Sequence, residues 1–197
     1  MRLISPYELK MKLDLADDRS RFVKEHSLSD KMNVIVTDDG SMHFFDDGGN
    51  DITKSVKSIG GYAFSWCKSL TNVIIPDSVT SIEEFAFYGC KSLISIVIPD
   101  SVKSIGDEAF YRCLSLTSID IPDSVTSIGK GAFCKCSSLK SISILDSVES
   151  IGEYAFRWCR RLKNIVFKGK TLEEVKSMDS YPWGVEDESV FKSSSIV

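Results

Sequence analysis

The sequence predicts an α+β repeat solenoid, a stack of short coils closed by a cap at each end. Two observations support this fold class. A unit of 23 residues recurs in phase from about residue 51 to residue 167, and a unit of this length is too small to bury its own apolar side chains. Its apolar residues also keep the same place in every copy, so stacking the copies joins them into one continuous core.

The repeat is visible as columns of residues that recur at a step of 23. An Asp-Ser-Val triplet marks one end of the unit, and an Ala-Phe pair followed by Cys and Leu marks its middle. The columns include Asp77, Asp100, Asp123 and Asp146; Phe64, Phe87, Phe110, Phe133 and Phe156; and Cys67, Cys90, Cys113, Cys136 and Cys159. So many columns in phase exclude chance, and the copied serines explain why serine is abundant.

Each copy is expected to hold two short strands joined by one helical turn. Ile119 and Ile121 alternate with the polar Asp120, which is the pattern of a strand with one buried face. Val125–Ile128 forms a second extended piece. The motif Gly-x-x-Ala-Phe-x-x-Cys connects such strands, and its Ala and Cys, four residues apart, fit one face of a helical turn. Proline closes most of the longer strands, because it cannot donate to a ladder.

The motif Ser-Ile-Gly-x-x-Ala-Phe-x-x-Cys-x-x-Leu resembles the BspA-like subfamily of leucine-rich repeats, over Ile52 to Phe167. The resemblance implies a leucine-rich-repeat-like right-handed coil. It also implies a protein-binding role of the interaction or adhesion type, since BspA-like proteins of bacteria and protists are often surface adhesins. The departures are few: Glu83 replaces the usual Gly, and Leu145 and Lys168 replace the strand-ending Pro.

The chain divides into three parts: an N-terminal helical and hairpin cap (1–50), a leucine-rich repeat solenoid (51–167) and a C-terminal cap and tail (168–197). Ser5-Pro6-Tyr7-Glu8 is a capping box, which predicts one or two helices through about Glu25. Asn33–Thr37 and Ser41–Phe45 then flank a glycine-containing turn, the pattern of a β-hairpin.

The C-terminal cap is predicted from a second capping box. Thr171-Leu-Glu-Glu174 opens a short helix through about Met178, and Tyr181-Pro-Trp-Gly184 ends it. Trp183 is expected to cover the last coil. The serine-rich tail from Lys192 to Val197 is expected to be loose.

The cysteine column predicts buried core thiols, because a buried cysteine behaves as a small hydrophobic residue. Stacked coils would also bring neighbouring cysteines close enough for a disulfide, so distance alone leaves bridges open. Cys134 stands outside this column, among Ser65, Tyr88, Tyr111 and Arg157, and is expected to be more exposed. A free exposed thiol fits a reducing compartment better.

No catalytic, metal or cofactor site is predicted. His26 and His43 stand outside the repeats, in no spacing that suggests a nucleophile–base pair. Asp46–Asp51 is rich in oxygen ligands but lacks the spacing of a calcium loop, which favours a solvated turn. The net charge of −4 is unlike that of a nucleic-acid-binding domain. Early charges such as Glu8 and Lys10 lead us to expect no secretory signal here, and no apolar stretch of the sequence is long enough to insert in a membrane.

Two outward stripes are candidates for a binding surface. One follows the longer strands and pairs small polar residues with an apolar end, as in Asn72 with Ile74 and Ser95 with Val97. The other crosses the turns and combines aromatic rings with cations, which are typical interface anchors. It gives the candidate partner-binding residues Trp66, Tyr88, Tyr111, Arg112, Arg157 and Trp158, with Lys135, Arg160 and Arg161 nearby. The alternative for both stripes, which the sequence favours, is a set of variable exposed positions without a function.

The sequence therefore predicts a non-catalytic module, not an enzyme, that binds a protein or another macromolecule and is a monomer. Two alternatives remain: an enzyme subunit whose activity lies in the N-terminal segment, and a purely architectural spacer. The location is undetermined, with the cytoplasm as the default in the absence of a signal, although family members are often surface proteins.

Overall fold

The computed structural model describes residues 2–4, 33–36, 39–45, 50–68 and 70–194. The strands in chain order are β1 (Arg2–Ile4), β2 (Asn33–Val36), β3 (Met42–Phe45), β4 (Ser58–Ile59), β5 (Asn72–Ile74), β6 (Ser81–Ile82), β7 (Ser95–Val97), β8 (Ser104–Ile105), β9 (Ser118–Asp120), β10 (Ser127–Ile128), β11 (Ser141–Ile144), β12 (Ser150–Ile151), β13 (Asn164–Lys168) and β14 (Phe191–Ser194). The helix α1 spans Leu172–Ser177, and short 3₁₀ turns span Thr53–Ser55 and Glu188–Val190.

The chain winds into a parallel-strand solenoid, as the repeat predicts. Each coil gives one two-residue strand to a side sheet with the order β12-β10-β8-β6-β4. Every strand of this sheet reads Ser-Ile, and equivalent residues pair directly, as Ser127 does with Ser104 and Ile128 with Ile105. The isoleucines all point inward and are buried. The step of 23 residues is therefore also the register of the sheet.

The longer strands form the opposite sheet in two sections, β5-β7 and β9-β11-β13-β14. Their pairing is parallel and again in register, with Ile142 opposite Ile119 and Ile165. Between the two sections, the Thr117 N–H donates to the Ile94 carbonyl at 3.3 Å, so the coils stay adjacent where the ladder is interrupted. The buried isoleucines of this sheet and those of the side sheet enclose one core.

The expected helical turn in each coil is not confirmed, and neither is the α+β class. The segment is a run of overlapping tight turns, in which the Ala63, Ser65 and Cys67 N–H groups donate three residues back. The N–H groups of the residues between them donate to the next coil, as Phe64 does to the Ala86 carbonyl at 2.8 Å. A helix would keep all of these bonds within one coil. Bonding to the next coil therefore replaces helix formation here.

Phenylalanine rings form a continuous stack through the core. Centroids of successive rings lie 5.3 Å apart for Phe64 and Phe87 and 5.4 Å apart for Phe87 and Phe110. The stack continues through Phe133 to Phe156 at 5.4 and 5.9 Å, with ring planes within 3° of parallel. In the Ala column beside it, Ala63 is partly buried and the other four alanines are fully buried, which leaves no room there for a larger side chain.

The cysteines lie in the core and are free thiols in the described structure. Four of them donate from Sγ to a phenylalanine carbonyl in the preceding coil, as Cys113 does to Phe87 at 3.2 Å and Cys136 does to Phe110 at 3.1 Å. Burial raises the pKa of the Cys113 thiol far above its ordinary value, and it raises the pKa of Cys159 to about 12. These thiols therefore both fill the core and satisfy buried carbonyls.

The prediction that Cys134 is more exposed is wrong, since only 4% of its surface is accessible. Ser65, the other short side chain of this column, is also buried at 4%, whereas the longer Tyr111 and Arg157 side chains reach solvent. Burial also raises the pKa of Cys134. Its burial removes the reason for assigning the chain to a reducing compartment.

Serine hydroxyls of the Asp-Ser-Val triplets also join the coils. Ser101 donates to the Val79 carbonyl and Ser124 to the Val102 carbonyl, both at 2.5 Å. The same position in the last triplet is Ser147, whose buried Oγ has no hydrogen-bond partner. This triplet is the one that follows Leu145 instead of proline.

The N-terminal hairpin is confirmed. β2 pairs with β3 in antiparallel register, and β1, which the sequence pattern did not reveal, pairs with the other side of β2. Met42 and Phe44 of β3 are buried against the first coil, and the Ile74 N–H donates to the Gly40 carbonyl at 2.6 Å. The hairpin thus covers this end of the core. The helices predicted between Ser5 and Glu25 lie outside the described residues.

The C-terminal cap follows the prediction in its helix and its tryptophan. Thr171 and Glu174 form the capping box of α1. Trp183 is fully buried, its carbonyl accepts from the Phe156 N–H, and its ring stands edge-on to Phe156 at 6.5 Å. Because β14 pairs in parallel with β13, this cap repeats the backbone bonding of a further coil.

The prediction of a loose tail is wrong for Lys192, Ser193 and Ser194, which belong to β14. β13 would otherwise leave its backbone N–H and C=O groups unpaired at the sheet edge, and pairing satisfies them. Phe191 also anchors the strand, because its ring packs in the core. Residues 195–197 lie outside the described residues.

Replacing Phe110 by Ala should lower the free energy of unfolding by about 3–5 kcal/mol, because the ring is fully buried between two others. Denaturant unfolding followed by circular dichroism measures this change. Ser118→Ala, at an exposed position of β9, is the control and should change stability by less than about 0.5 kcal/mol. Equal effects of the two substitutions would show that the ring stack does not stabilise the fold.

The thiols should resist alkylation in the native state, because burial disfavours the reactive thiolate. At about pH 8, a thiol reagent should label none of the six cysteines quickly, and all of them after unfolding in urea. Mass spectrometry counts the labels. Rapid native labelling of Cys113 or Cys136 would contradict the buried column.

Candidate functional site

Two columns of backbone in the left-handed conformation place side chains on the outer surface of the turns. One column holds Tyr62, Phe85, Glu108, Gly131 and Tyr154, and the other holds Trp66, Gly89, Arg112, Lys135 and Trp158. The φ angles of the non-glycine members lie between 49° and 62°. None of these non-glycine side chains is buried, whereas the Ala, Phe and Cys columns between them form the core. The fold thus presents one row of outer side chains per column.

The first part of this surface is organised around Trp66. Its ring lies directly over Gly89 of the next coil, where an added Cβ would come within 2.6 Å of the ring. The Lys91 ammonium lies 5.5 Å from the ring centroid, and the Arg112 guanidinium lies 5.8 Å from it. Because Gly89 has no side chain, Trp66 can cross its coil and meet Arg112 two coils away.

Tyrosines continue the surface through the middle coils. Tyr88 meets Trp66 edge-on at 5.3 Å and stacks on Tyr111 at 4.9 Å, with the two tyrosine planes 6° apart. The Lys135 ammonium donates to the Tyr111 hydroxyl at 2.6 Å. Desolvation, and then the neighbouring Tyr111, raise the pKa of Tyr88, so the Tyr88 hydroxyl stays protonated at neutral pH.

The last coil carries alternating cations and rings. Lys135 lies 4.7 Å from the centroid of Trp158, and the Arg157 guanidinium lies 4.2 Å from the same ring. Arg157 also lies 5.0 Å from the ring of Tyr154, which places its guanidinium against two aromatic faces. Tyr154 and Trp158 are 44% and 41% exposed, respectively, and are the aromatic residues most open to solvent in the described chain.

These contacts join into one network, which we call the cation–aromatic face. Its members are Trp66, Tyr88, Lys91, Tyr111, Arg112, Lys130, Lys135, Tyr154, Arg157 and Trp158. The structure brings together all six residues that the sequence proposed for the turn stripe. Lys91, Lys130 and Tyr154 were not among the predicted residues; the step of 23 residues places Tyr154 in the same column as Gly131 and Glu108. Cation–π contacts of this kind stabilise by about 0.5–1 kcal/mol each at exposed sites.

One acidic group lies beside this face. Glu108 belongs to the left-handed column of Tyr154, and desolvation followed by the nearby Asp107 raises its pKa. The positive charges of Lys130 and Lys135 lower the pKa of Glu108 and partly offset this rise. A second acidic group, the carboxylate of Glu153, pairs with the Lys130 ammonium at 3.1 Å, so the charge of Glu153 is balanced within the protein.

The strand stripe has a different character. Its outward residues include Ile94 and Val97, which are 47% and 54% exposed, respectively. The polar residues bond to one another, as the Ser95 hydroxyl does to the Asn72 side-chain oxygen at 2.8 Å. This surface has exposed apolar side chains but no network of rings and cations, so the cation–aromatic face is the better candidate.

The other candidate sites gain no support. His43 lies in β3, while His26 and residues 46–49 of the acidic loop lie outside the described residues. Hydrogen bonds from the Thr53 side chain, and then from the Thr53 N–H at 2.8 Å, lower the pKa of Asp51 and make it part of a local turn. Among the described side chains, no group of three or more His, Cys, Asp or Glu is placed to hold a metal ion. No helix within the described ranges is long and apolar enough to cross a membrane.

Stacked coils with two parallel sheets, a shared core and a decorated outer surface define a solenoid of the leucine-rich repeat class. The chain belongs to the BspA type Leucine rich repeat family, whose model matches residues 52–180 in six copies. Members of this family typically serve protein binding or adhesion and are generally non-enzymatic.

Solved structures support this assignment. A leucine-rich repeat protein of T. pallidum (TpLRR) is 30% identical, with a TM-score of 0.57 over 71% of this chain and 70% of that one. A leucine-rich cell surface protein of Faecalibacterium prausnitzii A2-165 is also 30% identical, with a TM-score of 0.63 over 75% of this chain and 42% of that one. The pneumococcal vaccine antigen PcpA is 27% identical, with a TM-score of 0.60 over 72% of this chain and 35% of that one. No curated protein matches the chain.

Replacing Gly89 by Ala should lower the free energy of unfolding by about 1–3 kcal/mol, because the new methyl group would overlap the Trp66 ring. Neighbouring coils accommodate Arg and Lys at this left-handed position, so overlap with the ring is the main cost. Denaturant unfolding measures the change.

A Trp66→Ala background provides the matched control. There the ring is absent, and Gly89→Ala should cost about 1 kcal/mol or less. The same large cost in both backgrounds would show that Trp66 does not lie over Gly89.

Proposed function

We propose that this chain is a non-catalytic protein-binding module that engages its partner through the cation–aromatic face. The observation that carries this proposal is the exposed group of Tyr154, Arg157 and Trp158 at one end of the network. Tyr, Trp and Arg are the residues that most often dominate the energy of protein interfaces. Because the rings already hold the cations, less side-chain freedom is lost when a partner binds.

The length of the face sets the size of its partner segment. Five coils at the strand spacing of roughly 4.8 Å give a surface of about 20 Å along the solenoid. An extended peptide of about six residues spans this length. A face of this length therefore suits one segment or loop of another protein. We propose that the module itself acts as a monomer.

The relatives add a biological setting. The F. prausnitzii match is named a cell surface protein and the pneumococcal match a vaccine antigen. An adhesion or interaction role at a cell surface is therefore our proposed setting for this chain. The net charge of −4 agrees with a protein partner better than with a nucleic acid.

Two other functions remain weaker hypotheses. The first is an enzyme subunit with its activity in the N-terminal segment, most of which lies outside the described residues. The second is a purely architectural spacer, a function that would give the exposed rings of Tyr154 and Trp158 no role. We therefore keep protein binding as the conclusion.

Affinity capture from the native source tests this function. A bait carrying Tyr154→Ser and Trp158→Ser should lose the partner that the native chain retains, because it lacks the two exposed rings. A bait carrying Ile94→Ser and Val97→Ser removes two exposed apolar side chains from the strand stripe and should retain the partner. Partner loss from only this second bait would move the binding surface to the sheet and refute our assignment.

A further inference from the structure

The last coil departs from the repeat by concentrating positive charge. Where Arg161 stands, the other four copies have serine, and where Lys163 stands, three have Thr or Ile. Together with Lys135 and Lys140 of the preceding coil, six cations lie within one short stretch of the solenoid. They are Lys135, Lys140, Arg157, Arg160, Arg161 and Lys163, which we call the basic corner.

The repeat register brings these cations onto neighbouring coils. The Lys163 N–H donates to the Lys140 carbonyl at 2.9 Å, and the Lys135 N–H donates to the Arg157 carbonyl at 2.8 Å. Lys135 and Arg157 also meet across the ring of Trp158. Arg157, Arg160, Arg161, Lys140 and Lys163 are all exposed, so most of the charge is open to solvent.

The ion pairs of this part of the chain leave the basic corner largely without acidic partners. Glu153 pairs with Lys130 at 3.1 Å, and Asp146 pairs with Lys170 at 2.7 Å. Glu149 precedes β12 and lies at the side sheet. In the described part of the chain, the structure shows no ion pair from any of the six cations. Apart from the electrostatic interaction of Lys135 with Glu108, the positive charge thus has no ion-pair partner among the described residues, within a protein whose net charge is −4.

We propose that the basic corner binds an acidic segment of a partner polypeptide, with an apolar side chain of that segment packed on Trp158. This proposal rests on the protein-binding function above and names the chemical class of the partner. Arg157 is held by two ring faces, which leaves the edge of its guanidinium open for a carboxylate in a two-bond arrangement.

A short acidic peptide fits this charge pattern better than a long polyanion. The attraction of exposed charges fades over a Debye length of roughly 8–10 Å in physiological salt. A nucleic acid or a membrane would extend past the basic corner to the rest of a net acidic surface, which repels it. The exposed rings of Trp158 and Tyr154 also favour a ligand that carries apolar side chains.

The probe is a fluorescein-labelled synthetic peptide of about eight residues, with leucine at every third position and glutamate elsewhere, and binding is followed by fluorescence anisotropy. We expect the full chain to bind it with a dissociation constant in the range of about 10–100 μM. Binding should weaken at least about tenfold when salt rises from low to high concentration. The same peptide with glutamine in place of glutamate should not bind.

Arg160→Gln with Arg161→Gln should reduce affinity about tenfold or more. Lys57→Gln with Lys103→Gln, two exposed cations that precede β4 and β8, removes the same charge elsewhere and should leave affinity unchanged. Thermal unfolding checks that both variants remain folded. Equal binding by the two variants, or no binding by the native chain, would overturn the proposal.

Binding of a nucleic acid and of a membrane is measured in parallel with binding of the peptide. A single-stranded oligonucleotide or an anionic phospholipid vesicle that binds more tightly than the peptide, and is lost with Arg160→Gln and Arg161→Gln, would overturn the choice of an acidic peptide. Affinity capture separates this proposal from the protein-binding function. A partner that is lost with the ring variants but kept by the charge variant would preserve that function and refute the acidic segment.

Discussion

Backbone hydrogen bonds from each coil to the next, at a step of 23 residues, are the constraint on which the structure depends. In the turn segment, every second N–H leaves its own coil, as Phe64 shows by donating to Ala86. This bonding fixes which residues of successive coils lie side by side. The phenylalanine stack and the cysteine column follow from it, because identical positions meet at close to the strand spacing.

Sequence periodicity was enough to predict the solenoid, the two strands of each coil, the hairpin and the capped helix. These features depend on local patterns or on strict repetition. The turns were misjudged because Ala and Cys four residues apart fit a helical turn as well as a series of tight turns, and the choice between them depends on bonds to another coil. The same long-range pairing brings Lys192–Ser194 into β14, although their composition suggests a loose tail.

The candidate site was predictable as a group of residues but not as a set of contacts. The repeat placed Tyr88 and Tyr111 in one column, and their rings indeed stack. Nothing in the repeat indicates that Lys135 and Arg157 lie on the faces of Trp158, because side-chain directions depend on the left-handed backbone at Lys135 and Trp158. The importance of Gly89 was likewise hidden, since only the structure shows the ring above it.

The edge-on ring of Trp183 has a consequence for assembly. A stack of parallel rings presents at its end the same flat surface that each internal ring offers to its neighbour, and another copy of the chain could add there head-to-tail. Such contacts do not close, and they produce filaments of unlimited length. By standing at 82° to Phe156, Trp183 removes that repeating surface. Trp183 thus ends the ring stack at this end of the core, as the N-terminal hairpin covers the other end.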